Sequence, residues 1–533
     1  MPLQMDEPPR SPRMSREVLM TSAGTTPDVA PRRPDATAAG SSLVELTPAS
    51  ISTPLRPVDS IRPLKILLIT PKGKKEEDTS QKALFSMAVG VLVSITPRQH
   101  QIELSDELFG DVIRYDGDYD LVGITTRSLN VNRAYEIADS FRARGTPVVL
   151  GGVHVSFNYE EALAHGDCVV SGEAENLWAT LLQDLADGKL QRRYESANFP
   201  PVNDVPMVDY ERIFLSSKRG KVDSRKSIPI YITRGCPFTC SFCVTPNFTG
   251  RLYRMQTPEA IREQIATAKR VWFRETRYGK KPWFMFTDEN LGVNKQRMWD
   301  VMEVLSECNI RFSSFISLKF LDDPKTVELL VKAGCAMALV GFESINQETL
   351  KAYNKGRINT AADYARIIAD CRKAGLPIQC NFLVNPAIDT YEDMAATMKF
   401  VVENALVMPI SSILTPYPGT QLYIDYKAQG LVVDEDWDKY TAHNLVVRCD
   451  RYNPYDYQIK YMEHFLGMFT WRANVRRVRM NNNKLITTVT SLAFRRNLQD
   501  QLENCKHGPR RPLAQDNLPP PPIAVASESV ETA

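Results

Sequence analysis

The stretch Arg234-Gly-Cys-Pro-Phe-Thr-Cys-Ser-Phe-Cys243 leaves the end of an apolar run, Pro229–Thr233, and its reading organises the rest of the chain. Cys236, Cys240 and Cys243 stand in the spacing C-x3-C-x2-C. Three thiolates on one short loop can hold a [4Fe–4S] cluster by three corners. Cluster sites normally use four cysteines, so the fourth iron is left open to bind and reduce a small molecule. Structural zinc takes four protein ligands, and no histidine lies near this loop to complete such a set.

Working downstream, Pro229–Thr233 is the first of six strand-like runs. The others are Trp283–Thr287, Arg311–Ser317, Met337–Phe342, Ile378–Val384 and Ile410–Thr415. Helical patterns at 257–273, 295–308, 324–333, 360–374 and 391–405 separate them. Strand alternating with helix predicts a parallel sheet. Six such units fit an open, three-quarter (β/α) barrel over 229–429. In these barrels chemistry sits at the strand carboxyl ends, which is where the cysteine loop falls. Residues 430–508 read as a mostly helical extension.

Upstream lies a second α/β series over 63–195. Lys65–Thr70 is an apolar run of the kind found in a buried parallel strand. Further runs follow at Ile102–Leu104, Leu121–Thr125, Val148–Leu150 and Cys168–Val170, with helical patterns near 81–95, 131–144, 158–165 and 175–187. Small polar loops close the strands: Thr125-Thr-Arg-Ser128, Gly151-Gly-Val-His154 and Ser171-Gly-Glu173. Ligands of open parallel sheets sit at such carboxyl ends. The Pro-punctuated stretch within 196–228 reads as a linker. Residues 1–62 and 509–533 are rich in Pro, Ser and Thr or end in a Pro run, and read as disordered.

Composition narrows the function classes. The chain has 533 residues, 43% hydrophobic and 24% charged, which predicts two or three ordinary globular domains. A net charge of +2 gives no global pull toward nucleic acid. No apolar run is long enough for a transmembrane helix, and the N-terminus lacks the apolar region of a secretory signal. The seven cysteines outside the loop are scattered singly, which suits a reducing cytoplasm rather than a disulfide framework.

The cysteine motif, with Phe242 before its last cysteine, resembles the radical S-adenosylmethionine (radical SAM) superfamily over about 229–425. That resemblance implies that the open iron binds the amine and carboxylate of SAM, and that one electron then splits a C–S bond to give a 5′-deoxyadenosyl radical. It also implies further sites. After the second strand, Asp288, Glu289 and Asn290 would accept from the SAM ammonium, a sound pairing of charge; the plainer reading is a solvated turn. Glu343, closing the fourth strand, would meet the ribose hydroxyls or form a surface ion pair. Asn381 and Pro416, on the fifth and sixth strands, would line the adenine pocket. The fifth-strand motif usually carries Gly where this chain has Asn385.

The first series resembles the cobalamin-binding domain found ahead of many radical SAM cores, on Gly151-Gly-Val-His-Val-Ser156 and Asp167-Cys-Val-Val-Ser-Gly-Glu-Ala-Glu175. The fold expected is therefore α/β: an N-terminal Rossmann-like (flavodoxin-like) cobalamin-binding domain, a partial (β/α)6 radical SAM barrel and a helical C-terminal extension. The resemblance points to Thr125, Thr126, Gly151, Gly152, His154, Gly172 and Glu173 for cobalamin. The chain departs from the methionine-synthase type, because the loop at 71–78 holds no histidine to ligate cobalt. His154 reads either as a cobalt ligand or as a structural residue lining the cofactor tail pocket, the second being the commoner case. A vestigial module without cofactor is the alternative for the whole domain.

These resemblances together imply a cobalamin-dependent methyltransferase acting on an unactivated carbon, with one SAM reduced at the cluster and a second remethylating the cobalamin. A cyclisation, ring contraction or carbon–carbon coupling would use the same cofactors. A non-catalytic cobalamin or cluster sensor is the third reading. The partners implied are a small-molecule substrate and an electron donor such as flavodoxin or ferredoxin. The run Phe465–Trp471, followed by Arg472, Arg476, Arg477 and Arg479, is compatible with a peripheral membrane contact and gives a lean toward a lipid such as a hopanoid; a core helix with a solvated basic end is the commoner reading. Lys72, Lys74 and Lys75 either meet a cofactor or sit in a solvated loop.

Overall fold

The computed structural model describes residues 62–74, 84–196, 199–204, 207–216, 226–274, 279–481 and 484–507. The expected disorder at 1–62 and 509–533 lies outside these residues, except for Arg62, and so does Lys75.

The first sheet is built from β1 (Lys65–Thr70), β2 (Gln101–Asp106), β3 (Leu121–Thr126), β4 (Val148–Gly152), β5 (Cys168–Ser171) and β6 (Arg193–Glu195), in the order β2-β1-β3-β4-β5-β6. All five pairings are parallel. The first five strands have the flavodoxin-like order, whose topological switch lies between β1 and β3. The middle of β1 is apolar because it is covered on both faces: Ile66, Leu67, Leu68 and Ile69 are all buried. β6 is a three-residue edge strand that the hydrophobic pattern does not reveal.

The second sheet runs β7 (Ser227–Ile230), β10 (Trp283–Phe286), β11 (Arg311–Phe315), β12 (Cys335–Glu343), β13 (Ile378–Val384) and β14 (Met408–Ile413), neighbours in that order and all parallel. Between β7 and β10 a short antiparallel pair, β8 (Thr233–Arg234) and β9 (Arg254–Met255), frames the cysteine loop. The six strands follow chain order without closing, the open barrel expected.

One core runs through both sheets. Ile66, Leu68 and Trp178 of the first domain share a cluster with Ile228, Ile230 and Phe284 of the barrel. The expected linker is part of this join. Helix Tyr210–Ser216 packs against helix Pro258–Trp272, and fully buried Tyr210 donates to Pro229 O at 2.8 Å. Prolines stand ahead of that helix, the last at Pro206, but the apolar pair Tyr210 and Ile213, one turn apart, drives it inward.

The extension is α-helical only from Pro454, in helices Pro454–Gly467, Trp471–Met480 and Lys484–His507, with one short 3-10 turn, Trp437–Lys439, before them. Residues 430–453 form a short irregular lobe with one bridge, Val432 to Val447. Its Trp437, Tyr440, Val446 and Val447 pack onto the other face of the first sheet. Phe465, Met468 and Phe469 are buried, and so is Arg477, whose guanidinium donates to Met468 O and Asn474 Oδ1. The apolar run is thus a core segment, and Trp471 is its exposed large side chain. Among the described residues no helix is long and apolar enough to cross a membrane.

Candidate active site

The cysteine loop is tied down on several sides. Gly235 has φ +81°, and a Cβ there would lie 2.3 Å from Leu252 O, so the turn into the loop needs glycine. Cys236 N donates to Gly250 O, Ser241 N to Tyr353 O and Leu422 N to Ser241 O. Asn354 Nδ2 donates to both Thr239 O and Thr239 Oγ1. The three cysteines are free and partly exposed. Among the described residues no three His, Cys, Asp or Glu side chains converge on a single-ion site; a loop that offers one thiolate to each of three irons has no need of such convergence. Burial pushes the Cys240 thiol up to about 12, against the opposing Lys355 ammonium. Burial also raises Cys236, against the Phe238 backbone and Asn290. Loading a cluster must therefore drive these thiols to thiolates, as metal binding does generally.

The strand-end groups fall into two sets. At the end of β10, Asp288 is 1% exposed, and its Oδ1 accepts from Ile232 N and from the Thr233 backbone and hydroxyl. Its Oδ2 is buried without a partner. Burial, with Glu289 adding repulsion, raises this carboxyl to about 7. An orphaned carboxylate oxygen is costly, and a ligand ammonium would satisfy it. Glu289 accepts from Gly235 N at 3.2 Å, and Asn290 is a partner of Cys236. These three therefore gather around residues 232–236, where the chain enters the cysteine loop.

The second set surrounds the end of β12. The register shifts between Gly341 and Glu343, and Glu343 takes φ +63°, so a bulge re-aims its carboxylate. It pairs with Lys355 Nζ, a partner that sequence reading missed. Asn381, opposite Gly341 on β13, accepts from Gln379. Pro416 is buried beyond β14. Asn385 is fully buried and donates to Tyr426 OH at 2.7 Å, so it works as a structural amide in the place where glycine is usual.

A cavity of about 300 Å³ opens between the carboxyl ends of the first sheet and the start of the barrel. Thr125, Gly151, Gly152, Gly172 and Glu173 line it from one side, Arg234 and Glu289 from the other. Its floor is glycine: the atom nearest to where a Gly151 Cβ would stand is 3.9 Å away. Gly152, at φ +106°, admits no side chain, since a Cβ would lie 2.4 Å from Thr126 O. Thr126 is buried and donates to Gly151 O at 2.9 Å, bracing that floor rather than lining the cavity. An aliphatic wall, a glycine floor and a polar rim make this a ligand cavity between the first domain and the barrel.

His154 is not part of this lining. It is 1% exposed, with Nδ1 at 2.9 Å from Ser128 Oγ and Nε2 at 3.2 Å from Asn158 Nδ2. Trp437 packs edge-on against its ring and donates to Glu161. Both ring nitrogens are thus occupied by side chains, which favours a structural role, but behind the cavity rather than in its lining as expected. Glu173 does line the cavity, but both its oxygens accept from Arg254, at 2.6 and 2.8 Å. Arg234, stacked over Tyr231, pairs with Glu175. Two arginines beside the cysteine loop meeting two glutamates in Gly172-Glu-Ala-Glu175 was a legible charge pattern, although spacing alone could not pair them. Lys72 leaves its backbone N–H on Glu107, and Lys74 is a largely exposed partner of Asp438, as a solvated loop would have it.

The two sheets and their shared loops define a radical SAM barrel carrying a cobalamin domain, and comparison with known proteins agrees. The Radical SAM superfamily model matches residues 230–401 and the B12 binding domain model residues 82–182. The bacteriochlorophyllide d C-8(2)-methyltransferase of Chlorobaculum tepidum is 56% identical, over 80% of this chain and 95% of that protein. The bacteriochlorophyllide d C-12(1)-methyltransferase of the same organism is 32% identical, over 72% of this chain and 82% of that protein. In fold, the chain is similar to the radical SAM methyltransferase TsrM from Kitasatospora setae with cobalamin and [4Fe–4S] cluster bound, at TM-score 0.55 and 19% identity over 70% of this chain and 76% of that one. The chain belongs to the cobalamin-dependent radical SAM methyltransferases. Its cofactors are a [4Fe–4S] cluster, SAM and cobalamin.

Proposed function

We propose that the chain transfers a methyl group to the C-8(2) carbon of a bacteriochlorophyllide. The observation that carries this is the 56% identity, which extends over 95% of the relative with that activity and so spans both modules and the extension. A tetrapyrrole replaces the lipid toward which the Phe465–Trp471 run leaned, since Phe465, Met468 and Phe469 of that run belong to the core.

In this reading Cys236, Cys240 and Cys243 hold the cluster. Asp288, Glu289 and Asn290 take the SAM ammonium, with Glu343, Asn381 and Pro416 toward its nucleoside. Thr125, Gly151, Gly152, Gly172 and Glu173 seat the cobalamin, with Thr126 and His154 bracing its seat from behind. The bound cofactors supply hydrogen abstraction and the methyl group; the chain holds them at one cavity and keeps water away. A low-potential flavodoxin or ferredoxin in the cytoplasm would deliver the electrons. A peripheral membrane contact would rest on Trp471 with Arg472, Arg476 and Arg479.

The test is anaerobic turnover of the reconstituted protein with SAM, cobalamin, reductant and bacteriochlorophyllide d. The expected product gains one CH2 at C-8(2), with 5′-deoxyadenosine and S-adenosylhomocysteine each formed in step with it. Formation of 5′-deoxyadenosine with no methylated pigment would reject the substrate. A product homologated at C-12(1) instead would reject the position.

A further inference from the structure

Residues 353–355 are built onto the cysteine loop. Tyr353 O accepts from Ser241 N at 3.0 Å, and the Asn354 amide grips Thr239 at 2.6 and 3.0 Å. Asn354 takes φ +53° to do so. The next residue, Lys355, is anchored by its backbone N–H on Leu350 O at 2.8 Å. Its ammonium lies 5.7 Å from the ring of Phe242, between the second and third cysteines, and its side chain is 13% exposed. Glu343 is its ion-pair partner, 9% exposed. The chain makes room for this pair: a Cβ at Gly341 would stand 2.2 Å from Glu343 Oε1 and 2.8 Å from Lys355 Nζ.

We propose that Lys355 is a positioning residue for electron entry: its fixed positive charge beside Cys240 and Cys243 raises the reduction potential of the cluster these residues hold, and Glu343 sets how far. The proposal rests on the cluster reading of the three cysteines. The physics is that of any low-dielectric site, where a nearby positive charge favours the state with one more electron. The electron comes from a one-electron donor and stays on the cluster; no bond or proton moves in this step. The carboxylate opposes the ammonium, so removing each member of the pair moves the potential in opposite directions. A merely structural pair has no such sign.

The experiment is a redox titration of the full-length protein, reconstituted anaerobically without SAM and read by electron paramagnetic resonance of the reduced cluster. Lys355→Met is expected to lower the reduced fraction about tenfold at fixed potential, about 59 mV for a one-electron couple. Lys355→Arg is expected to stay near the wild type, and Glu343→Gln to shift upward. Equal potentials in wild type and Lys355→Met, or shifts of the same sign in Lys355→Met and Glu343→Gln, overturn the proposal. If Lys355→Met loads no cluster, retention of cluster and potential by Lys355→Arg together with an upward shift in Glu343→Gln supports it. Loss of loading in all three variants marks a structural pair and overturns it. Failure of the wild type itself to load a cluster would instead reject the cysteine reading.

Discussion

The Glu173 carboxylate accepts two hydrogen bonds from the Arg254 guanidinium, one per oxygen, and so ties the end of the first sheet to the strand that frames the cysteine loop. Both side chains are 5% exposed. A buried pair of this kind is weak evidence of net stability, but removing one member strands the other. Glu173→Gln should therefore destabilise the protein by roughly 3 kcal/mol. Arg254→Met should do the same, leaving Glu173 only the longer Arg234 contact at 3.7 Å. The denaturant midpoint reads the loss, and cobalamin retention through gel filtration should fall with it. An unchanged midpoint in both variants would show that the tie is incidental.

Asp288 predicts a pH dependence of defined sign. Its folded carboxyl is raised to about 7, above the ordinary carboxylate range. Between that range and pH 7 the native state keeps a proton that the unfolded chain has lost, so stability falls as pH rises. Above about pH 7 the cost is complete. Asp288→Asn should flatten that part of the apo-protein's stability profile, while weakening SAM binding at neutral pH. Thermal midpoints of the two proteins from pH 5 to 8 provide the check; parallel curves would contradict the assignment.

His154 is engaged at both ring nitrogens. His154→Ala should cost about 1–3 kcal/mol, since Ser128 and Asn158 lose buried partners. The resonance spectrum of bound cob(II)alamin should not change, because no nitrogen leaves the cobalt. Loss of a nitrogen splitting in the variant would restore His154 as an axial ligand.

Gly152→Ala places a methyl group against the Thr126 backbone, at a φ of +106° that other residues rarely adopt. Loss of cobalamin binding is expected, with cluster loading retained, because the cysteine loop is held by separate contacts. Gly172→Ala makes a useful contrast: φ is +83° there, but nothing lies within 4 Å of the added Cβ. It should cost only the backbone strain, with a smaller drop in cobalamin affinity measured by equilibrium titration.

How much of this was legible follows from the range of each interaction. The strands and their order of appearance could be read from apolar runs and helical periods, because burial on both faces of a parallel strand leaves a continuous local signal. The cysteine spacing and the acidic group at Asp288–Asn290 were legible for the same local reason. Helix Tyr210–Ser216 was hidden by the Pro-rich stretch ahead of it, and the lobe at 430–453 by its lack of any period. Lys355 lay outside reach because it follows Glu343 by twelve residues and meets it only through a bulge, helix Gln347–Ala352 and the turn after it.

The sequence by itself determined the chemistry: three thiolates with one iron left open, acidic groups at the neighbouring strand end, and a glycine-floored carrier domain ahead of them. Only the tertiary structure decided which groups are free to use that chemistry. It turned His154 into a buried post for Trp437, tied Glu173 to Arg254, left one oxygen of Asp288 without a partner, and set the Lys355 charge beside the cysteine loop. Such assignments depend on side chains far apart in the chain sharing a few ångströms of space where water is scarce, and local pattern carries no record of that.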